Sequence, residues 1–140
     1  MKTFGCIKTI TLCCTLCSSA VLADVAVIVN PANSADISVE DIKGLYSGRQ
    51  KNFADGKAAL VLSLEDGDPT RSEFNNDALG KTDAQMKAYW SKLLFTGKGT
   101  PPKELADDAA VKAAVAADPT AVGYISSSSV DNSVKVVANF

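Results

Sequence analysis

A strand-forming run leads directly into a helix start in the stretch Leu60-Val61-Leu62-Ser63-Leu64-Glu65-Asp66-Gly67-Asp68-Pro69-Thr70-Arg71. Residues 58–64 are almost wholly apolar, and such a short run predicts a buried strand. Asp68 is a favoured N-cap residue, and Pro69 is favoured at the first helical position. The stretch therefore predicts a strand, a tight acidic loop and then a helix.

Short apolar runs predict the other strands. Residues 25–29 form an uninterrupted apolar run, which is typical of a strand buried on both faces in a parallel or mixed sheet. Residues 121–126 and 134–137 predict two final strands. The whole order is β-α-β-α-α-α-β-β, which favours helices packed on a sheet. The predicted fold class is α/β, with a central mixed sheet flanked by helices.

Capping signals predict the helix starts. The predicted N-cap residues are Ser38, Asp68, Thr82 and either Asp107 or Asp108. Thr82 and Gln85 have the spacing of a capping box. The helix that follows carries an apolar stripe that predicts core contacts, made of Met86, Trp90, Leu93 and Leu94. Residues 97–102 are rich in glycine and proline and predict an exposed loop.

The first 23 residues have the pattern of a secretory signal. Lys2 and Lys8 precede an apolar run at residues 10–16, and residues 21–23 fit a small-x-small cleavage site. We expect a signal peptide at 1–23, cleavage after Ala23, a periplasmic location and one domain at 24–140. A transmembrane anchor and a lipoprotein are the alternatives; the apolar run is short for a span, and no lipoprotein pattern precedes a cysteine.

Composition narrows the function. The chain of 140 residues is 46% hydrophobic and 21% charged, with net charge −2, which does not suggest a nucleic-acid partner. It has no histidine, which excludes Ser-His-Asp and Cys-His catalysis. All four cysteines lie within the first 17 residues, so cleavage would leave 117 residues, net charge −4 and no disulfide.

Three loops are candidate binding sites, at residues 30–34, 65–71 and 123–129. In the second loop a predicted helix N-terminus, the Thr70 hydroxyl and the Arg71 guanidinium favour an anion. Its acids, Glu65, Asp66 and Asp68, favour a structural turn that caps itself. The same acids also suit a calcium site or a glycosidase pair, but neither the calcium-loop spacing nor a sugar cleft is evident.

Three segments in order resemble phosphate-binding-protein-like domains, the solute-binding proteins of phosphate ABC transporters. They are residues 37–48, residues 66–74 and residues 122–125, which look like the family's "lsxxdlxxiFsG", "DGSGTxxxF" and "aIGYv" elements. The resemblance implies a compact type 2 periplasmic-binding fold and an oxyanion such as phosphate. Asp66 matches the family aspartate and Thr70 the family threonine. We predict a ligand-binding set of Asn33, Ser34, Asp66, Asp68, Thr70 and Arg71.

The same segments depart from the family pattern. Asp68-Pro69 stands where the family has Ser-Gly, Leu64 stands where an arginine is often found, and full-length members are more than twice as long. The signal and the three ordered motifs still lead us to expect a non-enzymatic binding protein without cofactor or metal, whose partners are an oxyanion and a membrane transporter. The alternative is an envelope interaction or sensory module that has lost the ligand, and a third reading is a carboxylate hydrolase.

Overall fold

The computed structural model describes residues 24–140, so the predicted signal peptide at 1–23 lies outside the described residues. The strands are β1 (Val25–Val29), β2 (Leu60–Leu64), β3 (Lys103–Leu105), β4 (Ala121–Ser126) and β5 (Lys135–Asn139). The helices are α1 (Val39–Tyr46), α2 (Pro69–Leu79), α3 (Asp83–Phe95) and α4 (Asp108–Ala117), and a short 3-10 turn covers Ser127–Ser129.

The five strands form one mixed sheet in the order β3-β2-β4-β1-β5. Strand β2 is parallel to β3 and β4, whereas β1 is antiparallel to both β4 and β5. All five residues of β1 are buried, as the uninterrupted apolar run predicts. The predicted α/β class with a central mixed sheet is confirmed.

Local capping chemistry sets the helix boundaries. Ser38 and Thr82 both form complete capping boxes, and the Asp68 and Asp107 side chains each accept a hydrogen bond from the first turn of their helices. Gly80 ends α2 with φ of 65°, a left-handed conformation that glycine adopts without a Cβ clash. The predicted helix starts are confirmed.

Aromatic rings fill the core between the sheet and α1 and α2. The rings of Phe74 and Tyr124 stack at a centroid distance of 4.1 Å, and Tyr46 meets the Phe74 ring edge-on at 4.7 Å. All three side chains are buried. Because Phe74 belongs to α2 and Tyr124 to β4, this stack holds the middle of α2 against the sheet.

The sequence predictions were wrong in four places. Strand β3 was not predicted, because its three residues are mostly charged and it becomes a strand only by pairing with β2. Leu94 was predicted to lie in the core, but 53% of its surface is exposed, because in α3 only Met86 and Trp90 are buried. Strand β2 starts at Leu60 rather than at residue 58, and β5 runs from Lys135 to Asn139.

Within residues 24–140, none of the helices is long and apolar enough to cross a membrane.

Candidate functional site

The loop between β2 and α2 brings a carboxylate to the N-terminus of α2. Asp68 Oδ1 accepts a hydrogen bond from the backbone N–H of Thr70 at 2.8 Å. Pro69 has no N–H to offer, and the N–H of Ser72 already donates to the carbonyl of Asp68 at 3.1 Å. The favourable end of the helix dipole is therefore occupied by a negative charge of the chain itself.

Arg71 points back under this loop rather than out to solvent. Its Nη1 donates to the carbonyl oxygen of Leu64 at 2.9 Å and to Glu104 Oε1 at 2.7 Å. Burial alone would lower the pKa of the guanidinium, but the hydrogen bond to Glu104 and nearby negative charges raise it overall. Only 18% of the Arg71 side chain is exposed, so its charge is largely satisfied inside the chain.

The remaining loop residues are partly or fully open to solvent. Asp66 Oδ2 lies 3.8 Å from Lys87 Nζ, and both side chains are more than half exposed, so this ion pair adds little to stability. Thr70 is half-buried, and Gly67 turns the loop with φ of 88°. Asp66, Asp68, Thr70 and Arg71 thus lie together in this loop.

A buried hydroxyl pair lies beneath the loop. Tyr124 Oη is 2.8 Å from Ser63 Oγ and accepts a hydrogen bond from the N–H of Leu64 at 3.3 Å. Burial raises the pKa of Tyr124 to about 12, against the opposing effect of its hydrogen bond with Ser63. The phenol is therefore a neutral hydrogen-bonding group that fixes the end of β2.

A small cavity lies beside these hydroxyls. Its volume is about 30 Å³, and Ser63, Arg71, Trp90, Glu104 and Tyr124 are among the residues that line it. That volume corresponds to roughly two water molecules.

The first turn of α3 is tied to α2 through Asp83. Its carboxylate accepts hydrogen bonds from Ser72 Oγ and, at 2.8 Å, from Asn75 Nδ2. The hydrogen bond from Ser72, followed by those from Asn75 and the charge of Arg71, lowers the pKa of Asp83 against the effect of burial. Asp83 is therefore held ionised behind the loop.

Asn33 and Ser34 lie at the opposite end of the strands from the loop after β2. Val29, at the end of β1, pairs with Val122, near the start of β4, whereas the loop after β2 lies beyond the end of β4. Ser34 is exposed, and Asn33 is 7% exposed. The six predicted residues therefore form two groups, which one small ligand cannot contact together.

The loop at residues 30–34 caps the C-terminal end of α4. Asn30 Nδ2 donates to the carbonyls of Val115 and Ala116 at 3.0 and 2.9 Å, which satisfies the C-terminal end of α4. Asn33 Oδ1 accepts from the N–H of Ala35 at 2.9 Å, while its buried Nδ2 has no hydrogen-bond partner among residues 24–140.

The serine run after β4 is held by α4. Asp108 Oδ2 accepts hydrogen bonds from the N–H of Ser126 at 3.2 Å and from Ser129 Oγ at 2.8 Å. This third predicted loop is thus fastened to the first turn of a helix. In the part of the chain that the structure describes, no group of three or more carboxylates or other metal-binding side chains is arranged to hold a metal ion.

Sequence reasoning missed four residues of this region: Ser63, Asp83, Glu104 and Tyr124 as partners of the loop. Ser63 carried a signal, because it is the one hydroxyl in an otherwise apolar run. Glu104 carried none, because its approach to Arg71 depends on the unpredicted pairing of β3 with β2.

Comparisons with known proteins bear on the fold. No protein-family model and no curated protein matches the sequence. Among solved structures, the chain resembles a protein described as a phosphate ABC transporter substrate-binding protein with bound phosphate from Clostridium perfringens, at 25% identity and TM-score 0.64, over 82% of this chain and 44% of that one. An ABC-type phosphate transport receptor from Vibrio cholerae matches at 25% identity and TM-score 0.63, over 83% and 46%.

A third match shows the fold alone. PstS from Borrelia burgdorferi is 13% identical, with a TM-score of 0.62 over 85% of this chain and 49% of that one. The chain spans less than half the length of each of these three proteins. The described residues have the fold found in the matched part of these substrate-binding proteins.

Proposed function

We propose that this chain is an exported binding domain that uses the solute-binding fold to contact a protein partner in the cell envelope. The hydrogen bonds of the loop after β2 carry the proposal. The Asp68 carboxylate accepts from the N-terminus of α2, and Glu104 accepts from the Arg71 guanidinium. The two groups that would hold an oxyanion in the loop after β2 are thus already bound within the chain.

The charges around the loop disfavour a free oxyanion. An incoming phosphate would have to displace the Asp68 carboxylate from the Thr70 amide or approach it closely. It would also meet Glu65 and Asp66, which are exposed on the same turn. The negative charges of these side chains would repel the phosphate, and the Arg71 guanidinium that would offset them lies under the loop.

Oxyanion binding is the second candidate, and the structural comparison favours it. The neighbour from Clostridium perfringens is described with bound phosphate, and a helix N-terminus remains the natural place for an anion. Under this candidate the chain would serve a phosphate ABC transporter, with Asp66, Asp68, Thr70 and Arg71 around the ligand. Asn33 and Ser34 would take no part in that site.

Isothermal titration calorimetry with phosphate and sulfate separates the two candidates. We expect no binding heat at millimolar ligand from the folded protein. Asp68→Ser is the informative variant, since it keeps a capping hydroxyl and removes the negative charge. A phosphate signal that appears only in Asp68→Ser would identify this carboxylate as the group that excludes the anion.

Tight phosphate binding by the unmodified protein would contradict the proposal. In that case Thr70→Ala and Arg71→Ala should each weaken binding by roughly 1.5–3 kcal/mol, the value of a hydrogen bond to a charged group. If both variants bind phosphate as well as the unmodified protein does, the anion lies elsewhere.

Export and the absence of catalysis are part of the proposal. Sequencing the N-terminus of the protein recovered from the periplasm should give Asp24 as the first residue, since cleavage is expected after Ala23. For catalysis, we expect no turnover of phosphoesters or glycosides above that of the Asp66→Asn variant. The structural neighbours are transport substrate-binding proteins, which agrees with a binding role.

A further inference from the structure

A groove separate from the loop after β2 opens along the side of the molecule that carries β3. It has a volume of about 860 Å³ and lies between residues 45–61 and residues 94–103. Its lining includes Leu60 and Val61 at the start of β2 and the glycine- and proline-rich loop at 97–102. This volume is far larger than a phosphate or sulfate ion requires.

The charge of the groove is opposite to that of the described chain. Lys51, Lys98 and Lys103 line it, and none of its lining residues is an aspartate or glutamate. Since Lys2 and Lys8 account for two of the 14 basic residues, residues 24–140 hold twelve basic residues against 16 acidic ones. The groove is therefore a concentrated basic surface on an acidic domain.

The lysine charges in the groove are available to a partner. Within residues 24–140, the ammonium groups of Lys51, Lys98 and Lys103 make no ion pair and no hydrogen bond. By contrast, Lys87 is near Asp66, and Lys112 donates to Asp131 at 2.9 Å. All three groove lysines are exposed.

A second basic recess adjoins the first. It has a volume of about 380 Å³, and Lys43, Arg49 and Lys81 line it, again with no acidic residue. Residues 47–52 contribute to both, since Ser47 and Arg49 line the smaller recess while Gly48 and residues 50–52 line the larger groove. The two basic linings are therefore neighbours along this segment.

The groove also offers apolar surface. Leu94 and Leu60 line it with 53% and 38% of their surfaces exposed, and Pro101 and Pro102 are also part of the lining. Phe95, the residue after Leu94, is 94% exposed. Large apolar side chains left exposed next to a groove are typical of a surface that another protein covers.

We propose that this groove binds an extended acidic segment of a partner protein, with apolar side chains of that segment packed on Leu94. The inference rests on the proposed function, and it names the surface that performs it. A small oxyanion would leave most of this volume empty. Carboxylates spaced along a peptide match the three lysines of the lining, and charge complementarity sets specificity and association rate.

Fluorescence anisotropy with a fluorescein-labelled, glutamate-rich peptide that carries leucines tests the inference. We expect saturable binding that weakens as salt is added, because exposed charges are screened. The variant Lys98→Glu/Lys103→Glu should weaken binding by about tenfold or more. The matched control is Lys87→Glu/Lys92→Glu, which makes the same change of net charge outside the groove and should bind like the unmodified protein.

Three results would overturn the inference. They are equal binding by both double variants, equal binding of a peptide with glutamine in place of glutamate, and binding only to vesicles that contain anionic lipid. Phosphate calorimetry on Lys98→Glu/Lys103→Glu keeps the two proposals apart. Phosphate binding there would count against the proposed function, whereas unchanged peptide binding by the same variant would count against the groove.

Discussion

Arg71 shows how a single side chain changes meaning once its partners are known. In the sequence it follows Thr70 at a helix start and predicts a cation for an anionic ligand. In the structure its Nη1 is shared between the Leu64 carbonyl and Glu104. The arginine therefore joins the end of β2 to the start of α2 and to β3, which is a structural task.

A double-mutant cycle on Arg71→Gln and Glu104→Gln measures this contact. Glu104 is 49% exposed, so solvent screening reduces the pair's value, and we expect a coupling of about 1 kcal/mol in urea unfolding. Arg71→Gln alone should cost more, since it also leaves the Leu64 carbonyl without its donor. Strictly additive losses would show that the ion pair contributes nothing.

The two buried tyrosines should resist ionisation. Burial raises the pKa of Tyr46 well above its ordinary value, and it raises that of Tyr124 to about 12. A raised pKa stabilises the fold below the ordinary value of 10, and that contribution is lost as pH rises through the folded value. The stability of the protein should therefore fall in strong alkali.

Ultraviolet absorbance of tyrosinate measures this in the Tyr89→Phe variant, which retains only the two buried tyrosines of the three in the chain. We expect the tyrosinate signal to rise together with the loss of far-ultraviolet circular dichroism. A signal that appears at the ordinary phenol pKa, while the fold is intact, would show that water reaches these hydroxyls.

At the scale of elements, α4 approaches β4 unusually closely at Gly123. A Cβ placed there would lie 2.6 Å from Val111 Cγ1 and 3.4 Å from Val115 Cγ2. Both valines are fully buried, so neither can move aside freely. The absence of a side chain at Gly123 therefore sets the distance between this helix and the sheet.

Gly123→Ala should destabilise the protein by about 1–3 kcal/mol, the usual cost of overpacking. The matched control is Gly99→Ala, where the added Cβ would meet its nearest neighbour, Trp90, at 3.4 Å. Adding Val111→Ala to Gly123→Ala should recover part of the loss when thermal unfolding is measured. Equal effects of the two glycine substitutions would contradict the close approach.

At the scale of the whole molecule, several carboxylates stabilise the fold only while they are ionised. Hydrogen bonds are the largest cause of the lowered pKa of each of the four, which are Asp41, Asp83, Asp118 and Asp131. Glu73 is the exception, since burial followed by nearby acids raises its pKa. The balance favours a fold that is weakened by acid.

The direction of this pH effect follows from the linkage between proton binding and folding. A carboxyl with a lowered folded pKa adds stability above its ordinary value of 3.8, and that stability is lost as pH falls through the folded value. We expect the urea midpoint to drop as pH falls from about 5 toward 2. Ser72→Ala removes the largest cause of the Asp83 shift and should reduce this dependence; an unchanged pH profile would exclude that hydrogen bond as a contributor.

The direction of the strands separates the two loops that hold the predicted binding residues. Asn33 and Ser34 follow β1, and Asp66 to Arg71 follow β2, so the sequence suggests that the two loops meet. Because β1 runs antiparallel to β4 while β2 runs parallel to it, the two loops lie at opposite ends of the strands. Strand direction is a property of the assembled sheet, and no residue within either loop encodes it.

The sequence by itself determined what depends on neighbours along the chain. The N-caps at Ser38, Asp68 and Thr82, the stop at Gly80 and the buried strand at residues 25–29 follow from local hydrogen bonding and apolar runs. Tertiary structure decided whatever joins distant residues. The pairing of β3 with β2, the contact of Arg71 with Glu104 across 33 positions and the pairing of Ser63 with Tyr124 across 61 arise only when the sheet assembles. The energy of such contacts depends on distances in space that spacing along the chain does not fix.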